Sequence, residues 1–168
     1  MKLESLQTLY VEELRDIYNA ENQLLKALPK MAKAASSPEL KQAFEDHLDQ
    51  TEEHVARLDE IFGKLDKKPT GKTCQAMKGL IEEGSDMMKH DGEEVVLDAG
   101  LIAAAQKVEH YEMASYGTVR TWAEMLGEDD AAELLQQTLD EEGETDKRLT
   151  ELAEEIVNVE AAAGDSRR

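Results

Sequence analysis

The sequence predicts an all-α protein, an antiparallel four-helix bundle whose two halves are joined by a long crossover that carries a short fifth helix. Aromatic residues make up only 4% of the 168 residues, there are three prolines, and helix-forming residues dominate. Four long segments carry apolar residues in steps of three and four, the spacing that places side chains on one helix face. Two predicted connections are short and the middle one is long, which favours two hairpins.

The composition limits the function. With 38 acidic against 19 basic residues, the formal charge is -19, which argues against binding to nucleic acids or anionic membranes. No segment approaches the roughly 20 apolar residues of a membrane helix, and the single cysteine, Cys74, cannot form an intrachain disulfide. We expect one cytoplasmic domain over residues 1–160, followed by a frayed tail over residues 161–168.

The first helix is predicted over Leu3–Ala35. Its apolar stripe consists of Leu14, Ile17, Leu24, Leu28 and Met31. Glu21 takes the position in this stripe where an apolar residue is expected. Pro29 lies late in the helix, where it can introduce a kink. Ser37 as N-cap and Pro38 at the first helical position predict a new helix after a short turn, so the first two helices should pack antiparallel.

The second helix is predicted over Pro38–Phe62. Its core-facing positions are Leu40, Phe44, His47, Thr51, His54, Leu58 and Ile61. His47 and His54 are seven residues apart on this face, and Gln50 lies one turn from both. A single histidine on such a face is usually a hydrogen-bonded core residue, whereas two at this spacing are equally consistent with metal binding. Both interpretations remain open at this point.

The helical pattern is interrupted over residues 63–92. The glycines, proline and lysines after Gly63 predict a loop, and a short helix is predicted over Cys74–Met88. This connection is long enough to cross the bundle. The third long helix can therefore return parallel to the second.

The third and fourth long helices each carry two acids at the centre of an apolar stripe. The third, Glu93–Leu126, has core-facing Ile102, Ala105, Glu109, Glu112, Tyr116, Val119, Ala123 and Leu126. The fourth begins after Gly127, near Asp129–Asp130, and reaches about Val159. Its stripe is Leu135, Leu139, Glu142, Asp146, Leu149, Ala153 and Ile156.

Polar residues thus interrupt the core-facing stripes near the midpoint of every long helix. They are Glu21, His47, Gln50, His54, Glu109, Glu112, Glu142 and Asp146. A buried unpaired carboxylate costs several kcal/mol, and one or two metal ions would compensate it. The alternative is a hydrated, hydrogen-bonded layer that fixes helix register without a metal.

Folding each hairpin at its short loop predicts three pairs across helices. Glu21 should lie opposite Gln50, Glu112 opposite Glu142, and Glu109 opposite Asp146.

Four stretches of the sequence carry a family resemblance: DIYNAENQL, HLDQT, LIAAAQKVEHYEMASYGT and TLDEE. With them, the chain resembles the ferritin-like superfamily and, within it, the YciF family of bacterial stress proteins. The resemblance covers nearly the entire chain. It implies a bundle with iron or manganese at its centre and a homodimeric assembly.

The rubrerythrin-like members of this superfamily hold two irons with a Glu, a Glu-x-x-His, a Glu-x-x-Glu and a Glu-x-x-x-His on successive helices. By position, these roles would fall to Glu21 on the first helix, Glu109 and Glu112 on the third, and Glu142 on the fourth. Asp146 stands in place of the last His. The second helix departs from the pattern, with His47, Gln50 and His54 where Glu-x-x-His is expected.

Two functions follow from this pattern. The first is a stress-response protein that binds one or two iron or manganese ions and acts on oxygen or peroxide or handles iron. The second is a non-enzymatic dimeric bundle that serves as a structural or docking module, with a vestigial or absent metal site. Tyr18, Tyr111 and Tyr116 are either hydrogen-bond donors around the centre or ordinary residues at the core edge.

Overall fold

Four long helices form the body of the protein. The computed structural model describes residues 4–165. The helices are α1 (Leu6–Ala34), α2 (Pro38–Lys64), α3 (Gln75–Met87), α4 (Glu94–Leu126), α5 (Asp129–Leu152) and α6 (Asn158–Asp165), with a π-helical turn at Ala153–Val157. The predicted all-α bundle with a short helix in the crossover is confirmed.

Pairs of contacting residues give the helix directions. Asp98 in α4 contacts Ser36, which follows α1, and Tyr116 contacts Glu21. Since the residue numbers rise in α4 as they fall in α1, these two helices are antiparallel. The short turn between α1 and α2 makes that pair antiparallel as well. Helix α4 therefore runs parallel to α2, as the long crossover predicts.

The predicted helix ends agree with the structure in most places. The Ser37 side chain accepts a hydrogen bond from the amide of Leu40 and caps α2, with Pro38 at its start. Helix α4 ends at Gly127, whose φ of 76° suits a glycine.

Helix α1 runs through Pro29 to Ala34, and a kink at Pro29 stays a prediction. The end of the fourth long helix differs from the prediction. The fourth long helix continues beyond Val159, because the π-helical turn leads directly into α6. Part of the segment expected to fray is therefore helical, and residues 166–168 of that segment lie outside the described residues.

The buried apolar residues form two clusters, with a polar layer between them. The cluster near the α1–α2 turn includes Leu24, Leu28, Leu40, Phe44, Leu101, Ile102 and Leu149. The cluster at the other end includes Leu14, Ile17, Leu58, Ile61, Val119 and Leu135. The buried polar residues between them come from the middle of the four long helices. Across residues 4–165, no helix is both long and apolar enough to cross a membrane.

Asp98 of α4 holds the turn between α1 and α2, a role that sequence reasoning missed. Its side chain is buried and accepts hydrogen bonds from the Ser36 amide at 2.9 Å, the Ser36 hydroxyl at 2.7 Å and the Ser37 amide at 2.7 Å. This carboxylate thereby ties the first hairpin to the second.

Replacement of Asp98 by Ala is expected to lower the free energy of unfolding by about 2 to 4 kcal/mol, because the two amides and the hydroxyl lose a charged acceptor. Chemical denaturation measures the effect. Asp91→Ala, an exposed acid shortly before α4, is the matched control and should change stability by less than about 0.5 kcal/mol. Equal stability of the two variants would contradict the assigned role.

Candidate metal centre

Six buried side chains meet in the polar layer, and all four long helices contribute to it. Their metal-binding atoms form two groups, each with its atoms within 4.8 Å of one another. The first group is His47, Glu109, Glu112 and Glu142, and the second is Glu21, His54 and Glu142. Each of the six residues is at most 2% exposed. Glu142 belongs to both groups, so the two groups share a carboxylate.

The shared carboxylate turns one oxygen toward each histidine. Glu142 Oε1 lies 3.1 Å from His54 Nδ1, and Oε2 lies 3.8 Å from His47 Nε2. In the first group, His47 Nε2 also lies 3.3 Å from Glu109 Oε1. In the second group, His54 Nδ1 lies 3.5 Å from Glu21 Oε1. This is the arrangement expected of a carboxylate that can bridge two metal ions.

Helical spacing explains why these side chains converge. His47 and His54 are two turns apart on one face of α2, and Glu109 and Glu112 are one turn apart on α4. The two members of each pair therefore lie at neighbouring levels of the bundle. Glu142 lies at the level between the two histidines.

Many of the inward-facing atoms have no hydrogen-bond partner. These are His47 Nε2, His54 Nδ1, Glu21 Oε2, Glu109 Oε2, and both carboxylate oxygens of Glu112 and Glu142. Buried polar atoms in folded proteins nearly always have partners, because burial without one is costly. A cluster of such atoms, all able to bind metals and gathered in two groups within 4.8 Å, fits bound cations.

The metal-free electrostatics indicate crowding of negative charge. Burial, and next the charge of Glu142, raise the pKa of Glu109 and of Glu112 well above the usual carboxyl value. Burial alone would lower the pKa of His54, but Glu142 and Glu21 outweigh it and raise that pKa to about 10. Burial opposes ionisation of Glu142 too, but the two histidines outweigh it and lower its pKa. Glu109, Glu112 and His54 therefore bind protons more tightly in this centre than such groups do in water.

The outer nitrogen of His54 is held by an ion pair that sequence reasoning missed. His54 Nε2 donates to Glu141 Oε2 at 2.9 Å, and Arg57 binds both oxygens of Glu141, at 2.6 and 2.8 Å. The Arg57 hydrogen bonds lower the pKa of Glu141 despite its partial burial. A carboxylate on the outer ring nitrogen is the usual support of a metal-binding histidine. The spacing of Arg57 one turn after His54 was the available signal.

The Tyr116 hydroxyl supports the second group from its other side. It is fully buried and donates a hydrogen bond to Glu21 Oε1. Tyr111 instead donates to Asp16 at 2.7 Å and contacts the Cys74 thiol, away from both groups. Tyr116 is therefore the tyrosine that reaches the centre.

Asp146 lies outside both groups, and Gln50 contacts the His47 nitrogen opposite the one that faces them. Gln50 is half-buried, and its Oε1 is 3.4 Å from His47 Nδ1. Asp146 accepts from the Gln106 amide at 3.2 Å. The expected pairing of Glu21 with Gln50 is corrected, because Glu21 lies against His54.

The other two expected pairs meet with different outcomes. Glu112 and Glu142 belong to the same group. Asp146 lies close enough to raise the pKa of Glu109, although the nearest ion-pair partner of Glu109 is His47.

The donor set fits a two-metal centre. Four carboxylates and two imidazoles converge, the same number of each that ferritin-like di-iron proteins use. Two divalent ions would balance the four negative charges. The distribution differs, because α2 supplies both histidines, and Asp146, which takes the position of a histidine on α5, lies outside both groups.

Known proteins resemble this chain over nearly its full length. The family model described as "Domain of unknown function (DUF892)" matches residues 5–162. Protein YciF of Escherichia coli (strain K12) is 46% identical over 162 residues, which cover 96% of this chain and 98% of that protein.

Solved structures give the same result. The crystal structure of the Escherichia coli stress protein YciF superposes with a TM-score of 0.87 at 46% identity, over 90% of this chain and 96% of that one. YcfI of Rhodopseudomonas palustris, described as a candidate structural protein, gives a TM-score of 0.86 at 43% identity, over 89% and 95% of the two chains. A Xanthomonas campestris protein at 24% identity, with a TM-score of 0.73 over 95% and 98%, shares the fold. From its sequence and its fold, the chain belongs to the YciF family, DUF892.

Proposed function

We propose that this chain is a cytoplasmic stress-response protein that binds two iron or manganese ions in the six-residue centre and uses them to reduce peroxide or oxygen. The observation that carries the proposal is the sharing of Glu142 by two groups of buried ligand atoms without hydrogen-bond partners. The description of the Escherichia coli relative as a stress protein supports the physiological part.

The chemistry of the donors favours iron or manganese. Carboxylates alone would suit calcium or magnesium, but imidazole nitrogens are ligands for transition metals. The centre offers one imidazole to each group. Bound iron or manganese would supply the electrons for reduction of the oxidant.

The protein's own residues would bind the metal ions, orient the ligand atoms and shield the centre from water. Glu142 and the other three carboxylates neutralise the cations, and Glu141 keeps His54 Nδ1 directed inward. The Tyr116 hydroxyl places a proton beside Glu21. The apolar clusters above and below exclude bulk water from the centre.

Elemental analysis of protein purified without chelator tests the proposal. We expect about two equivalents of iron or manganese per chain, or the same after anaerobic loading with Fe(II). Peroxide added to the loaded protein should oxidise the metal and be consumed. Absence of stoichiometric metal under both conditions would refute the proposal.

The second candidate is a non-enzymatic homodimer that acts as a structural or docking module. The description of the Rhodopseudomonas palustris relative favours it. It predicts that sedimentation finds a dimer, which stays folded and assembled after chelation. It also predicts that the protein either binds no metal or binds metal tightly without consuming peroxide. The same elemental analysis and peroxide assay therefore separate the two candidates.

Arg57→Gln is expected to weaken metal binding about 10- to 100-fold, because Glu141 then loses the partner that fixes it against His54. Competition with a chromophoric chelator measures the affinity. Arg148→Gln is the matched control, since Arg148 also joins α5 to α2, through Asp46, but on the exposed surface. Equal affinities of the two variants would rule out a positioning role for Arg57.

A further inference from the structure

A surface groove lies between α2 and α5, and two of its lining side chains contact the histidine of the first ligand group. Its volume is about 440 Å³, and Gln50 and Thr145 form part of its lining. The rim is charged, with Glu144, Lys147, Arg148 and Glu151. Because His47 is 2% exposed while Gln50 and Thr145 are half-buried, these two side chains separate the groove from the centre.

Gln50 and Thr145 touch each other and the same ring nitrogen. The Thr145 hydroxyl donates to Gln50 Oε1 at 3.2 Å, and both oxygens lie 3.4 Å from His47 Nδ1. The opposite nitrogen, Nε2, faces Glu109 and Glu142. The imidazole thus has one side toward the groove and the other toward the ligand atoms.

We propose that Gln50 and Thr145 form a gate through which metal ions and small oxidants pass from the α2–α5 groove to the buried centre. The inference rests on the proposed function, since it concerns access to the same site. The gate opens by breaking the 3.2 Å hydrogen bond between Thr145 and Gln50 and the 3.4 Å contacts of these two side chains with His47 Nδ1. Long hydrogen bonds between half-exposed groups are cheap to break, so passage does not require the bundle to unfold.

Another surface groove lies beside Asp146. It lies on α4 and is lined by Ala103, Gln106, Lys107 and His110. Gln106 and His110 contact Asp146, which is outside both ligand groups. Gln106 also donates to the Thr150 hydroxyl at 2.8 Å. It therefore bridges two helices as Gln50 does, without covering a ligand, and provides a matched control.

Three variants test the gate. Gln50→Ala/Thr145→Ala removes both gate side chains. Thr145→Leu narrows the opening with an apolar side chain, and Gln106→Ala removes the comparable bridge on the other face. Circular dichroism and thermal unfolding establish that each variant is folded before any rate is compared.

Stopped-flow absorbance with Co(II) as the probe gives the filling rate, and equilibrium titration gives the stoichiometry. We expect filling to be about tenfold faster in the double alanine variant and about tenfold slower in Thr145→Leu, with stoichiometry unchanged. Gln106→Ala should fill at the native rate. Equal rates in all variants, or faster filling only in Gln106→Ala, would overturn the gate.

Modification of histidine by diethylpyrocarbonate provides a readout without metal. The chain has four histidines, and exposed His90 and His110 serve as internal references. Mass spectrometry should find His47 modified faster in the double alanine variant than in the native protein, relative to these two. If the native protein binds no Co(II), the proposed function fails. The reactivity of His47 still shows whether Gln50 and Thr145 control access from the groove to the centre. Unchanged reactivity of His47 would overturn the gate even if metal binds.

Discussion

Under the proposed function, Glu142→Gln is expected to abolish metal binding by both ligand groups, whereas Glu21→Gln should remove only one equivalent. Glu142 belongs to both ligand groups and Glu21 to one. The two oxygens of Glu142 face different histidines. An amide in place of this carboxylate therefore removes a charged ligand from each group at once. Metal stoichiometry after loading with Mn(II) or Fe(II), measured by elemental analysis, distinguishes the two outcomes.

Glu133→Gln is the matched control for Glu142→Gln, because Glu133 lies on the same helix but is exposed. It should bind metal as the native protein does. Retention of two equivalents by Glu142→Gln would show that this carboxylate is not shared, and loss of only one would assign it to a single group.

The metal-free protein is expected to lose stability as the pH rises, by about 3 kcal/mol between pH 6 and 9. The pKa values of Glu109 and Glu112 are raised in the folded state, so their stabilising effect is complete below the usual value of 4.5 and is lost as the pH rises through the folded pKa. For His54, stability is complete below pH 6.5 and is lost as the pH approaches 10. These three groups act in the same direction.

The lowered pKa values of Glu141 and Glu142 act at the acid end. Their contribution is present above pH 4.5 and is lost as the pH falls through the folded pKa. Since the contributions of Glu109 and Glu112 are lost above pH 4.5 and those of Glu141 and Glu142 below it, maximum stability of the metal-free protein is expected near pH 4.5. Urea unfolding in the presence of a chelator, repeated from below pH 4.5 up to pH 9, measures the profile.

Two comparisons identify the buried centre as the cause. Glu112→Leu should stabilise the metal-free protein by about 1 to 4 kcal/mol at pH 8, because it removes a buried carboxyl with no hydrogen-bond partner. Loading with Mn(II) should reverse the slope, since metal binding requires deprotonated ligands. Two results would contradict the crowding of negative charge in the centre. One is a free energy of unfolding that does not change with pH when chelator is present, and the other is a Glu112→Leu variant less stable than the native protein.

The sequence by itself determined the bundle. The steps of three and four in each long segment, the cap at Ser37 and the stop at Gly127 are local signals, and local signals decide where helices begin, end and turn their apolar faces. The same periodicity placed Glu21, Glu109, Glu112 and Glu142 in core positions. The length of the crossover decided the direction of α4.

Only the tertiary structure decided what each polar residue meets. Helix periodicity gives the face on which a residue lies but not the axial offset between neighbouring helices. Because of that offset, Glu21 contacts His54 and Gln50 contacts Thr145. The supporting roles of Glu141 and Arg57 were hidden for the same reason, since a contact between residues 84 positions apart depends on how two helices pack. Periodicity therefore determines which residues face the centre, and helix packing determines which residues they contact.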